Sequence, residues 1–150
     1  MPDLRELYQE VILDHTKNPR NFRALADATA KAVGNNPLCG DRVTVYLKME
    51  GDRIVDASFE GQGCAISKSS ASLMTEAVKG HTRAEAEALY DKFHEMITGE
   101  PEGSVDSKAL GKLAVFQGVS EFPLRVKCAS LAWHTLRSAL ESKEGVVTLE

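Results

Sequence analysis

No apolar run in this sequence approaches the roughly 20 residues that a helix needs to span a bilayer, and no basic stretch followed by an apolar one opens the chain. We therefore expect a cytoplasmic protein that makes no use of a membrane. Basic residues are not in excess either, since the formal net charge is −4 at pH 7. Because phosphate contacts need a clustered basic surface, nucleic acid is not an expected partner.

Cysteine is scarce and there is no CxxC pair: the three cysteines are dispersed along 150 residues. An odd, scattered set in a reducing compartment argues against a disulfide framework and fits metal ligation or thiol chemistry better. The length suits one domain, residues 1–150, and the contents of 43% hydrophobic and 27% charged residues are ordinary for a globular protein.

The first part of the chain changes from a helical to a strand pattern. Asp3 with Glu6 forms a capping-box-like helix start, and the turn 18–21 around Pro19 ends that helix. Alternating apolar residues then predict strands, one after the other, at 29–33, 43–49 and 54–60.

The rest of the chain is predicted to be helical. The expected helices cover 65–79, 82–98 behind a Thr82–Glu85 capping box, a short apolar piece near 110–116, and a last helix that begins at Pro123 and ends before Gly145. Strands first and helices afterwards indicate an α+β domain, in which an N-terminal helix and several C-terminal helices pack on a small three-stranded antiparallel sheet.

The residues that could carry chemistry fall at ends of these elements. Cys39 and Asp41 lie in a loop before the strongest strand, Cys64 lies between a strand and a helix, and Cys128 lies early in the last helix. Gly40 allows the tight turn that would let Cys39 and Asp41 bind one cation, and zinc accepts both sulfur and carboxylate oxygen. Cys64 precedes a helix, whose N-terminus stabilises a thiolate.

Spacing alone leaves the use of these residues open. A buried cysteine such as Cys128 is often a small apolar filler, and an aspartate after glycine is often a turn residue. The four histidines, at positions 15, 81, 94 and 134, fit surface or packing roles better than ligation. On the residues alone, a metal site and inert or redox-active thiols remain alternatives, with Asp41 as the natural fourth donor.

The motifs around these residues resemble the IscU-like (NifU N-terminal) family of iron–sulfur cluster assembly proteins. The matching pieces, in order, are Tyr8 to Ile12, Asp14-His15, Asn18 to Phe22, Asn36 to Asp41, Phe59 to Ser67, Ser69 to Ser72, and Lys127 to Leu131. They span nearly the whole chain. The resemblance implies the family's fold and a ligand set of Cys39, Asp41, Cys64 and Cys128 for zinc or, alternatively, an iron–sulfur cluster.

Two branches of this family differ before the last cysteine. IscU proper typically has histidine there, preceded by a Leu-Pro-Pro-Val-Lys signal, whereas this chain has Lys127 and no such signal. The longer segment after Gly99, which closes with residues 118–128, resembles the SufU branch instead. That branch binds zinc and takes sulfur from a SufS-type cysteine desulfurase, whose histidine replaces one cysteine on the metal.

The resemblance implies a role for each residue. Cys39 corresponds to the released cysteine that accepts persulfide sulfur, and Arg125 matches a position associated with docking to the desulfurase. The expected function is zinc-dependent sulfur transfer to downstream iron–sulfur assembly proteins. The alternatives are a scaffold on which a cluster is assembled and transferred, and a plain structural zinc domain. Arg125 could also be an ordinary solvated charge on the last helix.

Overall fold

The computed structural model describes residues 4–36, 40–98, 113, 115–116, 123–141 and 146–148. The elements are helix α1 (Leu4–Lys17), strands β1 (Ala30–Asn36), β2 (Asp41–Glu50) and β3 (Arg53–Gln62), helices α2 (Ala65–Val78), α3 (Arg83–Thr98) and α4 (Pro123–Leu140), and strand β4 (Val146–Thr148). The predicted α+β class is confirmed, with helix and strand bounds within a few residues of those expected.

The strands form one sheet in the order β3-β2-β1-β4. β2 pairs antiparallel with both β1 and β3, which confirms the predicted three-stranded antiparallel sheet. β4 adds a short fourth strand that runs parallel to β1, with Val33 opposite Val146. The expectation that only helices follow the third strand is therefore wrong at Val146–Thr148, because a three-residue strand has too short a pattern to reveal itself without its partner.

The sheet buries one face against helices. Along β2, Val43, Val45 and Leu47 are buried while the alternate residues Thr44 and Tyr46 are half-buried, which is the two-residue repeat that the sequence shows. α4 packs on β1 and β2, and α2 packs on β3 and α4. The core between these elements is apolar and continuous, so the helices hold the ends of the strands in fixed places.

The motif residues near the end of α1 attach this helix to α2. His15 is 1% exposed, and its Nδ1 lies 2.6 Å from Ser72 Oγ. The same hydroxyl accepts a hydrogen bond from the backbone N–H of Arg20 at 2.8 Å. Asn21 has φ of 59°, and its side-chain amide donates to Thr75 Oγ1 at 3.1 Å. His15 therefore has the packing role that the sequence analysis favoured.

The connection between α2 and α3 follows the predicted capping chemistry. Gly80, with φ of +85°, follows the end of α2. The backbone N–H of Thr82 donates to Glu85 Oε1 at 2.9 Å, and the N–H of Glu85 donates to Thr82 Oγ1 at 3.2 Å. These two bonds are the reciprocal capping box.

Several predictions lie outside the described residues. They are the Asp3 cap, the position of Cys39, and most of the short helix near 110–116, of which Leu113, Val115 and Phe116 are described and buried. Within the described ranges, no helix is both long and apolar enough to cross a membrane.

Candidate metal centre

Three elements deliver three of the four predicted ligands to one place. Asp41 is the first residue of β2, Cys64 directly precedes α2, and Cys128 lies in the second turn of α4. Because β2 and β3 are antiparallel, the start of β2 lies beside the end of β3, from which the chain enters α2. One carboxylate oxygen of Asp41 and the Sγ atoms of both cysteines lie within 4.8 Å of one another.

The Asp41 carboxylate is buried, with 0% of the residue exposed. Its Oδ1 accepts a hydrogen bond from the backbone N–H of Cys64 at 2.9 Å, and its Oδ2 lies 3.8 Å from Cys64 Sγ. Among the described residues, no lysine or arginine forms an ion pair with Asp41. A buried carboxylate without a cation is costly, so this site favours a positive ion.

Cys64 is exposed and is the N-cap of α2. Its Sγ accepts a hydrogen bond from the backbone N–H of Ser67 at 3.4 Å. The N-terminus of a helix favours negative charge, so this position stabilises the thiolate that a metal needs. The prediction that Cys64 lies at a helix start is confirmed.

Cys128 is 4% exposed and lies on the face of α4 that meets the sheet. Burial alone fits both an apolar filler and a ligand. The distance of its Sγ from Cys64 Sγ and from Asp41 favours the ligand. Arg125 is exposed one turn before it on the same helix.

The chain turns at Gly40, directly before β2, as the sequence predicts. Gly40 has φ of +70°, and beyond its chain neighbours no atom of the described residues lies within 4 Å of the place where a Cβ would lie. Cys39 itself lies outside the described residues, so its place as the fourth ligand stays a prediction. Gly40 nevertheless brings the chain into Asp41 through a left-handed turn that glycine adopts without strain.

The donors that the structure brings together fit zinc. Two thiols and a carboxylate are accepted zinc ligands, and a fourth would complete a tetrahedral site. Calcium and magnesium prefer oxygen alone, so sulfur at two positions argues for a thiophilic metal. Asp41, Cys64 and Cys128 would hold such an ion.

No histidine belongs to this group of ligand atoms among the described residues. His94 and His134 pack with Tyr90, whose hydroxyl lies 2.8 Å from Nδ1 of His134. Burial lowers the pKa of His134, and the charges of His94 and Arg137 lower it further. His81 is exposed. The packing and surface roles predicted for the histidines agree with these positions.

The two glycines that precede Cys64, Gly61 and Gly63, each lie against part of β2. At Gly61 a Cβ would overlap the backbone of Arg42 on the neighbouring strand. Gly63 lies beside the Asp41 carboxylate. The sequence pattern Gly61-Gln62-Gly63-Cys64 could have pointed to this close packing, but it does not show which group each glycine makes room for.

Comparisons with known proteins agree with this geometry. The NifU-like N-terminal domain family matches residues 7–140. The chain is 45% identical to the zinc-dependent sulfurtransferase SufU of Bacillus subtilis over 144 residues, which are 95% of each chain. It is 41% identical to the iron–sulfur cluster assembly scaffold protein IscU of Streptococcus pyogenes, over 92% of this chain and 85% of the relative.

A solved structure shows the same fold. The SUF-system protein FiSufU of Fervidobacterium islandicum AW-1 superposes with a TM-score of 0.82 at 38% identity, over 91% of this chain and 98% of that one. The family match covers all three described candidate ligands and the strands and helices that carry them. This chain therefore belongs to the family of the NifU-like N-terminal domain.

Proposed function

We propose that this protein is a zinc-dependent sulfur carrier, which accepts persulfide sulfur from a SufS-type cysteine desulfurase for iron–sulfur cluster assembly in the cytoplasm. Zinc would be held by Cys39, Asp41, Cys64 and Cys128. One observation carries the proposal: a fully buried carboxylate lies beside two thiols and has no lysine or arginine partner among the described residues. A thiophilic cation supplies the missing positive charge.

The relatives support zinc and sulfur transfer together. The Bacillus subtilis relative is named as a zinc-dependent sulfurtransferase, and its match runs over nearly all of both chains. Bound zinc would keep the coordinating thiols deprotonated. Asp41, Cys64 and Cys128 are held by a strand and two helices. Because the sequence predicts a loop at Cys39, we expect Cys39 to be the ligand that moves.

The transfer itself is a thiolate exchange at Cys39. The Cys39 thiolate attacks the outer sulfur of the desulfurase persulfide, an S–S bond forms to Cys39, and the S–S bond to the desulfurase cysteine breaks. The electron pair of the broken bond leaves with that cysteine as a thiolate. The sulfur now on Cys39 is available to downstream iron–sulfur assembly proteins, and no external oxidant or reductant is consumed.

We expect the desulfurase to bind on the face of the protein that carries the site. Arg125 is exposed and lies three residues before Cys128 on α4. A guanidinium at this place can bind a carboxylate of the partner through two parallel hydrogen bonds.

A second candidate is a scaffold on which an iron–sulfur cluster is assembled at the same residues. The match to the Streptococcus pyogenes scaffold protein at 41% identity favours it. Lys127, in place of the histidine typical of IscU proper, argues against it. Anaerobic iron and sulfide would then produce a stable visible chromophore that transfers to an apo-protein.

The deciding experiment combines metal analysis with a desulfurase assay. As-purified protein should be colourless, contain about one zinc per chain and raise desulfurase turnover. Cys39→Ala should abolish that stimulation while the protein stays folded, as checked by circular dichroism. Intact stimulation by Cys39→Ala would show that the sulfur-acceptor role is wrong, and zinc without any stimulation would indicate a structural zinc domain.

A further inference from the structure

Gly63 lies against the carboxylate of Asp41. β2 and β3 pair with Arg42 opposite Gln62, so the next positions along the two strands, Asp41 and Gly63, also face each other. A Cβ on residue 63 would lie 2.6 Å from Asp41 Oδ1, 3.0 Å from its Cγ and 3.3 Å from its Cβ. The carboxylate of Asp41 therefore fills the space that a side chain at 63 would need.

Conformational freedom does not explain the glycine at this position. Among the described glycines, those with positive φ are at 40, 51, 61 and 80, and Gly63 is not one of them. An alanine at 63 would therefore not be forced into the left-handed region. What glycine provides at this position is space.

The carboxylate has little room in which to yield. Asp41 is 0% exposed, and its Oδ1 is held by the backbone N–H of Cys64 at 2.9 Å. To escape a methyl group at 63, Asp41 would have to turn away from that N–H. Its Oδ2, which lies 3.8 Å from Cys64 Sγ, would move with it.

We infer that Gly63 is a positioning residue for the metal site. Its missing side chain lets the Asp41 carboxylate lie against the peptide of residues 63 and 64, where the Cys64 N–H holds Oδ1 and leaves Oδ2 directed to the two thiols. Asp41 is thereby presented as a one-oxygen ligand in a fixed orientation. This inference rests on the proposed function, because it concerns the same zinc site.

Partners that orient a metal ligand are worth about 10- to 100-fold in metal affinity. A methyl group at 63 that displaces the Asp41 carboxylate should have an effect of that order. Because the effect acts through the carboxylate, it should vanish when Asp41 is already replaced by alanine. This dependence separates positioning from a general disturbance of the fold.

The test measures zinc affinity by competition with a chromophoric chelator for wild type, Gly63→Ala, Asp41→Ala and the double variant. We expect Gly63→Ala to bind zinc about tenfold or more weakly, and the double variant to match Asp41→Ala. In Gly63→Ala the Cys64 amide should lose its acceptor, so its hydrogen exchange should speed up relative to wild type.

Gly34→Ala is a matched control. Gly34 also lacks a positive φ but, unlike the exposed Gly63, it is buried, and a Cβ there would overlap the Thr135 hydroxyl and lie 3.1 Å from Leu131 Cδ1. This variant should lower the melting temperature while zinc affinity stays within about threefold of wild type.

Three results would overturn the inference: unchanged zinc affinity in Gly63→Ala, a further loss when Gly63→Ala is added to Asp41→Ala, or the same affinity loss in Gly34→Ala. If Gly63→Ala folds poorly, the melting temperature of the zinc-free double variant decides instead. A higher melting temperature in the zinc-free double variant than in zinc-free Gly63→Ala supports the inference, and an equal or lower one contradicts it. Wild type that binds no zinc would refute the proposed function itself, which is a separate outcome.

Discussion

The backbone N–H of Cys64 donates a hydrogen bond to the Asp41 carboxylate at 2.9 Å, across the ends of two paired strands. One donor thus satisfies one oxygen of a buried carboxylate, and the other oxygen lies 3.8 Å from Cys64 Sγ. The bond links two ligands of the proposed zinc site directly, so a change at either residue should alter the position of the other.

Asp41→Asn removes the charge of Asp41 while it keeps nearly the same side-chain shape. The amide oxygen can still accept the Cys64 N–H, but the buried negative charge is gone. We expect the zinc-free variant to melt at or above the wild-type temperature, and zinc to raise its melting temperature less than in wild type. Asp27→Asn, an exposed aspartate paired with Lys48, serves as the control and should keep the full zinc effect. A zinc-induced shift in Asp41→Asn equal to that of wild type would contradict the assigned role of the carboxylate.

Zinc binding should weaken as the pH falls. The thiols must lose their protons to bind the metal, so affinity should drop by about tenfold per pH unit for each proton displaced. Calorimetric titrations in buffers of different ionisation enthalpy count those protons. Cys64→Ser should release fewer protons than wild type, and an affinity that is independent of pH would exclude thiolate ligation.

Arg125→Ala should weaken the response to the desulfurase without loss of zinc. We expect the protein concentration that gives half-maximal stimulation to rise by about tenfold or more, because an interfacial hydrogen bond to a charged group contributes about 1.5–3 kcal/mol. Arg137→Ala is the matched control, since Arg137 is exposed at the other end of α4 and pairs with Glu141. Equal effects of the two substitutions would show that Arg125 has no specific role in docking.

Asp56 should give a small pH-dependent contribution to stability. Burial raises the pKa of Asp56, but hydrogen bonds from Lys79 and Arg23 outweigh burial, so the pKa lies below its usual value. The contribution is therefore present above about pH 4 and lost as the pH falls through the lower folded-state pKa. Asp56→Asn should cost up to about 1 kcal/mol near pH 7, measured by urea unfolding. The cost should shrink in high salt and shrink again as the pH falls below about 4; a cost that does not change with pH would point to packing.

Ser70→Ala should destabilise the protein more than Ser69→Ala. Both serines are buried on α2, but Ser70 Oγ accepts the indole N–H of Trp133 at 3.2 Å and donates to Ala129 O at 2.6 Å. Losing a partner in the core costs about 1–3 kcal/mol. Ser69 Oγ donates only within its own helix, so its loss should cost less. Urea unfolding followed by the fluorescence of Trp133, the single tryptophan, measures both.

The elements of this fold were predictable where their patterns are local. The alternation around Val45 predicts β2 because period-two burial is written into neighbouring residues. The capping box of Thr82 and Glu85 likewise lies within one turn. β4 escaped prediction because a three-residue strand is defined by its pairing with β1, which the local sequence does not contain.

The candidate site was predictable only in part. The residue pattern made Asp41, Cys64 and Cys128 possible ligands, and the family resemblance implied them, with Cys39, as one ligand set. The structure brings these three residues together, while Cys39 remains a prediction. The space beneath Asp41 at Gly63 could not be inferred from spacing, because it depends on the register of β2 against β3.

The sequence by itself determined the helix and strand patterns, the glycine turn before Asp41 and the placing of Cys64 at a helix start, because each depends on neighbouring residues. Only the tertiary structure decided that Cys128, far along the chain, reaches Asp41 and Cys64, since α4 packs across the sheet. It also decided that Asp41 is buried without a basic partner among the described residues. Burial and proximity are properties of packing, and packing joins residues that are distant in sequence.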